Sequence, residues 1–286
     1  MTNFAIHDGL SPRTAAVALT LALACLAPAA ADAQFATDDF NSCTLDTVWT
    51  FVDAFGEFDD PVMVGTNTED AGVALTVPAG TRYQFWDGTD EPPYIIQAAA
   101  DTNMTVEARF DSHLEALYMV TEGIVIYESP TSWVRAEFYT RPDSLYRVAV
   151  DVGIMTTVHD ITLPADVTAP ITMRITRDGD TWTQYWRDDG NYTTWTQVAT
   201  PFVYAMNVTG VGLYAGNNNE RPGHTVVVDY FSNTPGVPAA EDSVRAPLDV
   251  TVVGGGSVAK SPDLASYGCD ELVTLTASDA LGWTFD

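Results

Sequence analysis

Basic residues are scarce in this chain of 286 residues. Twelve lysines and arginines stand against 39 acids, Lys260 is the only lysine, and the formal charge is -27. Such a surface repels phosphate backbones and anionic lipid, which excludes nucleic acid as a partner. A neutral glycan or a divalent cation suits it better, and acidity alone also keeps an exported protein soluble. Cysteine is nearly absent as well: three residues, Cys25, Cys43 and Cys269, make no disulfide scaffold. The longest apolar run, Ala15 to Ala27, falls short of the roughly 17–25 residues that span a bilayer. No long stretch repeats with the helical period of 3.6.

The familiar catalytic motifs are missing too. There is no H-E-x-x-H for zinc, and His7, His113, His159 and His224 stand apart from one another. No G-x-S-x-G elbow occurs. Gly254-Gly255-Gly256-Ser257 lacks the lysine of a phosphate loop and reads as a hairpin turn. Glu57-Phe58-Asp59-Asp60 begins like the same-face carboxylate run of a sandwich glucanase, but the third carboxylate is missing.

What is present fits an exported β protein. Arg13, the apolar run and the A-x-A site Ala31-Asp32-Ala33 predict a signal peptide over 1–33, cleaved before Gln34. Ala22-Leu23-Ala24 before Cys25 is a poor lipobox. Cleavage leaves Cys43 and Cys269; an oxidising compartment permits a bridge between them and the spacing does not demand one. Hydrophobic residues at 46% and aromatics at 11% supply a real core and exclude disorder. Period-two alternation sets Val106, Ala108 and Phe110 on one face. The same pattern groups Tyr146, Val148, Val150 and Val152, then Ile171, Met173 and Ile175. Asp178-Gly179 and Asp189-Gly190 read as hairpin turns. Many short strands without helices predict a β-sandwich or barrel. Residues 34–234 form that domain and 235–247, rich in proline, read as a linker. The tail, 248–286, carries strand-like runs Leu248–Val253 and Glu271–Ala277, too few residues for a core of its own. It stops at Trp283-Thr284-Phe285-Asp286 without a cap, as an incomplete unit would, so further domains beyond Asp286 are expected.

Three stretches carry a family resemblance. Asp38-Asp39-Phe40 with Trp49 is the first, and Gly123–Tyr127 with Trp133–Phe138 the second. The third is Met173–Trp182 followed by Val211–Gly216 and Val228–Phe231. Together they resemble the concanavalin A-like jelly-roll domains of domain of unknown function 1349, similar to the C-terminal sandwich of family 43 β-xylosidases and more distantly to laminin G-like domains. That implies an all-β sandwich and no particular reaction. It also implies a structural Ca²⁺ joining first and last strands, with Asp39 and Asp229 at the matching acidic positions and Asp38 beside them. The tail resembles a divergent internalin B-type bacterial surface repeat, cut after "GWTF", so that Cys269 would lack its partner.

A binding face is the strongest functional signal. Trp133, Arg135, Glu137 and Tyr139 alternate with Val134, Ala136 and Phe138 and are expected on the outward side of one strand, with Tyr127 and Glu128 just before it. Aromatics stack on the apolar faces of sugar rings while carboxylates and guanidinium groups pair with hydroxyls. Trp86 and Asp87, near Asp90 and Glu91, form a second candidate at the rim. Trp182, Trp186 and Trp195, around a turn that resembles the Asp-box hairpin of sialidases, are expected to pack across strands. The expected function is a secreted, non-catalytic module binding polysaccharide or a cell-surface glycan. The alternatives are an adhesive segment of a larger surface protein, and a hydrolase or lyase on the same sandwich.

Overall fold

The computed structural model describes residues 35–66, 71–88, 91–114, 119–141, 145–188, 190, 192–217, 223–233, 245–253, 255–269 and 271–281. The expected signal peptide (1–33), Asp90, Asp189, residues 234–244, which cover most of the expected linker, and the terminal Trp283–Asp286 lie outside them.

All described regular structure is strand. In chain order the strands are β1 (Thr50–Val52), β2 (Val62–Val64), β3 (Gly72–Val77), β4 (Tyr94–Ala98), β5 (Met104–Phe110), β6 (Thr121–Ser129), β7 (Ser132–Thr140), β8 (Tyr146–Val152), β9 (Thr157–Thr162) and β10 (Ile171–Asp178). There follow β11 (Thr181–Asp188), β12 (Thr196–Gln197), β13 (Phe202–Val203), β14 (Gly210–Gly216), β15 (His224–Ser232), β16 (Arg245–Ala246), β17 (Gly256–Ser261), β18 (Tyr267–Gly268) and β19 (Thr274–Asp279). One sheet has the order β1-β4-β14-β6-β7-β8-β9. The other runs β12-β11-β10-β5-β15-β3-β2, with β13 also on β11. Every pairing between these strands is antiparallel.

The alternation read from the sequence decides which way each sheet faces. Val106, Ala108 and Phe110 of β5, Ile171, Met173 and Ile175 of β10, and Tyr146, Val148, Val150 and Val152 of β8 all lie in one buried cluster between the sheets. From β7, Val134, Ala136 and Phe138 join it. Phe110 and Phe138 meet edge to face across the layers, ring centres 6.1 Å apart. Trp182 and Trp186 of β11 point into the same core. Trp195 does not: it lies on the opposite side of its sheet, between the guanidinium groups of Arg174 at 3.9 Å and Arg187 at 4.8 Å.

The opening segment closes the sandwich at its first and last strands. Asp38 bridges Phe231 of β15, and its carboxylate accepts the indole N–H of Trp49 at 2.7 Å. Trp49 in turn packs against Phe40 and Phe231. This explains the Asp-Asp-Phe…Trp pattern by packing.

The tail departs from expectation in two ways. Leu248–Val253 forms no strand; the hairpin is built instead by β17 and β19, while the short β16 and β18 pair separately. Every residue of β19 is exposed, so this hairpin has no buried face of the kind the sandwich strands have. Cys269 does have a partner, since it forms a disulfide with Cys43. The partner comes from the start of the sandwich, 226 residues earlier, rather than from inside the tail.

Several carboxyl groups are buried, and the most enclosed of them is in β6. Glu122 of β6 is 0% exposed, and its Oε2 accepts a hydrogen bond from the Ser112 hydroxyl. Burial pushes its pKa up to about 8, opposed by Ser112 and helped by the charge of Asp111. Such a group takes up a proton on folding, so stability falls as pH rises from the unfolded value toward 8. His224, pushed down to about 4 by burial, acts oppositely, but its effect is complete above about pH 6.5. Between pH 6.5 and 9 urea midpoints are therefore expected to decline, and Glu122→Gln to remove about 2 kcal/mol of that decline. A decline identical in the variant would refute the assignment. Peptide mapping without reductant is expected to recover Cys43 and Cys269 as one linked species.

Candidate functional site

Half of β7 faces away from the core. Trp133, Arg135, Glu137 and Tyr139 occupy the outer side of the seven-stranded sheet, opposite Val134, Ala136 and Phe138. Outward here does not mean exposed: all four are at most 3% accessible. The segment around Phe85 covers this side, and beneath it lies a second apolar cluster of Phe85, Tyr94, Val125, Trp133 and Tyr214. Phe85 stacks within 5.3–5.8 Å of Tyr94, Tyr214 and Trp133. Tyr127 packs on its margin. Trp133 and Tyr127 therefore serve a small outer core and offer no open stacking surface.

Beyond that cluster the charged residues converge. Arg135 and Asp151 are cross-strand partners in β7 and β8, and their side chains form an ion pair. The same guanidinium nitrogen reaches Glu137 at 3.3 Å. Asp151 also accepts the Thr157 hydroxyl at 2.6 Å, and Glu137 accepts the Tyr214 hydroxyl at 2.6 Å. Tyr214 reaches Glu137 from two strands away because Gly123 lies between them in β6. A Cβ at Gly123 would sit 2.3 Å from the Ala136 carbonyl oxygen and 2.8 Å from the Tyr214 ring.

Burial sets the protonation of this network. It raises the Glu137 pKa, against the pull of Arg135 and with the help of Asp151. It raises Tyr214 well above its ordinary value, aided by Glu137. Arg135 stays charged, because Glu137, Tyr214 and Asp151 outweigh the cost of its burial. At the far end of β7, Tyr139 donates to Asp160 at 2.7 Å and accepts from Arg141 at 3.1 Å; burial, then Asp160, raises its pKa.

Arg135, Glu137, Asp151, Tyr139, Arg141 and Asp160 line a pocket of about 230 Å³ whose wall also includes Gln84, Trp86, Met119 and Thr157. Of the residues expected to bind ligand, Arg135, Glu137, Tyr139 and Trp86 line it, while Trp133 and Tyr127 do not. Trp86 is partly exposed at the rim, and its carbonyl accepts the N–H of Met155. Met119 and Met155 both hold positive φ, 61° and 54°, a conformation that non-glycine residues seldom adopt. Asp151, Asp160 and Arg141 belong to the site and were not singled out from the sequence. Asp151 was within reach as the polar position of the β8 alternation, but its pairing with Arg135 needs the β7–β8 register.

The two acidic positions expected to hold Ca²⁺ each have another side-chain partner. Asp229 occupies a bulge in β15 opposite β5, where Arg109 comes within 3.2 Å of its carboxylate. A guanidinium there opposes a divalent cation. Asp39 accepts the side-chain amide of Asn41 at 2.6 Å. Among the described residues no three acidic, histidine or cysteine side chains gather as metal ligands.

No family model matches the chain, and no curated protein does. Solved structures do. The GH43 protein BlXynB from Bacillus licheniformis superposes with a TM-score of 0.52 at 15% identity, over 68% of this chain and 38% of that one. A GH43 glycoside hydrolase with an engineered active site, displaying both endo-xylanase and exo-arabinofuranosidase activity, gives 0.50 at 15% identity, over 70% and 40%. The chain thus spans about two fifths of the length of those proteins. At such identities the likeness concerns the fold alone, and the fold is a concanavalin A-like β-sandwich jelly roll.

Replacing Gly123 by alanine tests the outer network. The added methyl must displace backbone or the Tyr214 ring, so a stability loss of about 1–3 kcal/mol is expected in denaturant titration. The Tyr214 phenol should also titrate at lower pH by ultraviolet difference spectroscopy, as it loses its buried contact. An unchanged midpoint would show that Tyr214 does not depend on this gap.

Proposed function

We propose that residues 34–234 form an extracellular, non-catalytic carbohydrate-binding module, of the type that the domain of unknown function 1349 resemblance suggests. Its ligand is a saccharide of a polysaccharide or cell-surface glycan, taken into the pocket on the outer face of the seven-stranded sheet. The observation that carries this reading is the pocket's makeup: guanidinium, carboxylate, amide and hydroxyl groups held in fixed positions, with one partly exposed indole at the rim. Sugars need such groups to replace the water they shed, together with an aromatic face for their C–H side. The likeness to GH43 sandwiches supports the choice of fold. The signal peptide expected from the sequence and the Cys43–Cys269 bridge both support an oxidising, extracellular setting.

Binding is favoured over hydrolysis by what lies between the two central carboxylates. Glycosidases keep their carboxyl groups apart, with the scissile bond in the gap. Here one nitrogen of Arg135 touches both Glu137 and Asp151, so a guanidinium fills that space.

A glycan array followed by calorimetry tests the proposal. Trp86→Ala and Asp160→Asn are each expected to weaken binding about tenfold or more while leaving the fold intact. Trp133→Ala, by contrast, is expected to act through stability, losing about 3–5 kcal/mol. Release of reducing ends or unsaturated products from any polysaccharide would overturn the non-catalytic reading, and an array without a hit would overturn the binding one.

A further inference from the structure

We infer that the pocket holds a single uncharged sugar ring at the end of a glycan, rather than an internal stretch of polymer or a uronic acid. This rests on the carbohydrate-binding reading above and names the ligand class of that same site.

Shape is the first ground. Sandwich sheets that bind a polymer along its length need a furrow that crosses the strands. On this sheet the outer face over β4, β14 and β6 is filled by the Phe85 cluster. The segment carrying Phe85 and Trp86 is tied to the loop after β8 by the hydrogen bond from Met155 to the Trp86 carbonyl. Gly88 belongs to the same closure, since a Cβ there would lie 3.3 Å from the Ile154 side chain. A chain lying across the strands would run into this wall. The more open lining groups are Arg141 and Asp160, each about a third exposed, so the mouth lies toward β9 at the sheet edge.

Size is the second ground. A cavity of about 230 Å³ is smaller than the roughly 300–1,000 Å³ of sites for drug-sized ligands, which suits one ring with its hydroxyls rather than several. The remainder of a glycan would project outward through the mouth.

Charge is the third. A carboxylate on the ligand needs a cation free to receive it. Arg135 already faces Asp151 and Glu137, and Arg141 faces Asp160. An incoming uronate would displace an existing ion pair and leave an acid of the pocket without its partner. Neutral hydroxyls can instead donate to Asp151 and Asp160 without disturbing either pair.

The test is a calorimetric series on the full chain. The probes are xylose, arabinose, galactose, glucose and mannose, their linear oligosaccharides up to the hexamer, and glucuronic and galacturonic acids. For the sugar that binds, the expected dissociation constant per chain end changes by less than about threefold from monosaccharide to hexamer. The uronic acid should bind about tenfold or more weakly than its neutral parent. Affinity that climbs about tenfold or more with length would overturn the end-binding inference and leave the carbohydrate reading standing. A uronate that binds more tightly than its parent would overturn the charge argument in the same way. Failure of every sugar in the series would remove both.

Discussion

A guanidinium deprived of water must be surrounded by acceptors, and the outer face of this sandwich is organised by that requirement at Arg135. The residue is 3% exposed and stands on the strand that contributes Val134, Ala136 and Phe138 to the main core. Asp151 faces it from the next strand, Glu137 from its own, and Tyr214 holds Glu137 from two strands away. Each satisfies a group that would otherwise be costly to bury. The covering segment at Phe85 is part of the same solution, since it excludes water from one side and leaves a pocket on the other. The sheet is therefore sandwiched twice, by the oily interior on one face and by a thinner aromatic layer on the other.

Much of the main core was legible in the sequence because strand alternation is a local property. Val106, Val148 and Met173 announced their faces through the residues immediately around them, and the structure places them together. The opening Asp38…Trp49 pattern was legible too, though its physical basis proved to be a hydrogen bond and ring packing. Asp229 was not legible in this way. A bulge puts it beside Tyr230 on the side facing β5, and nothing in the local sequence announces the Arg109 that meets it there.

The candidate site was half legible for the same reason. Alternation assigned Arg135, Glu137 and Tyr139 to the side away from the core, and that is where they lie. It could not say that Phe85, nearly fifty residues earlier in the chain, would cover Trp133. Nor could it pair Arg135 with Asp151, which depends on the length of the β7–β8 connection. Exposure is a property of what packs on top, and that information is spread across the chain. The tail illustrates the converse. Its turn glycines were visible, but the strand formed after them, at β17, because that segment finds a partner in β19 and Leu248–Val253 finds none.

The disulfide also has a mechanical meaning. Cys43 lies before β1 and Cys269 after β15, so the covalent loop they close contains every strand of the sandwich. Tension on the tail past residue 269 would enter the domain at Cys43 and by-pass the end of β15. The strands between would carry little of that load, and the pocket beside Arg135 would keep its shape while the chain around it was pulled.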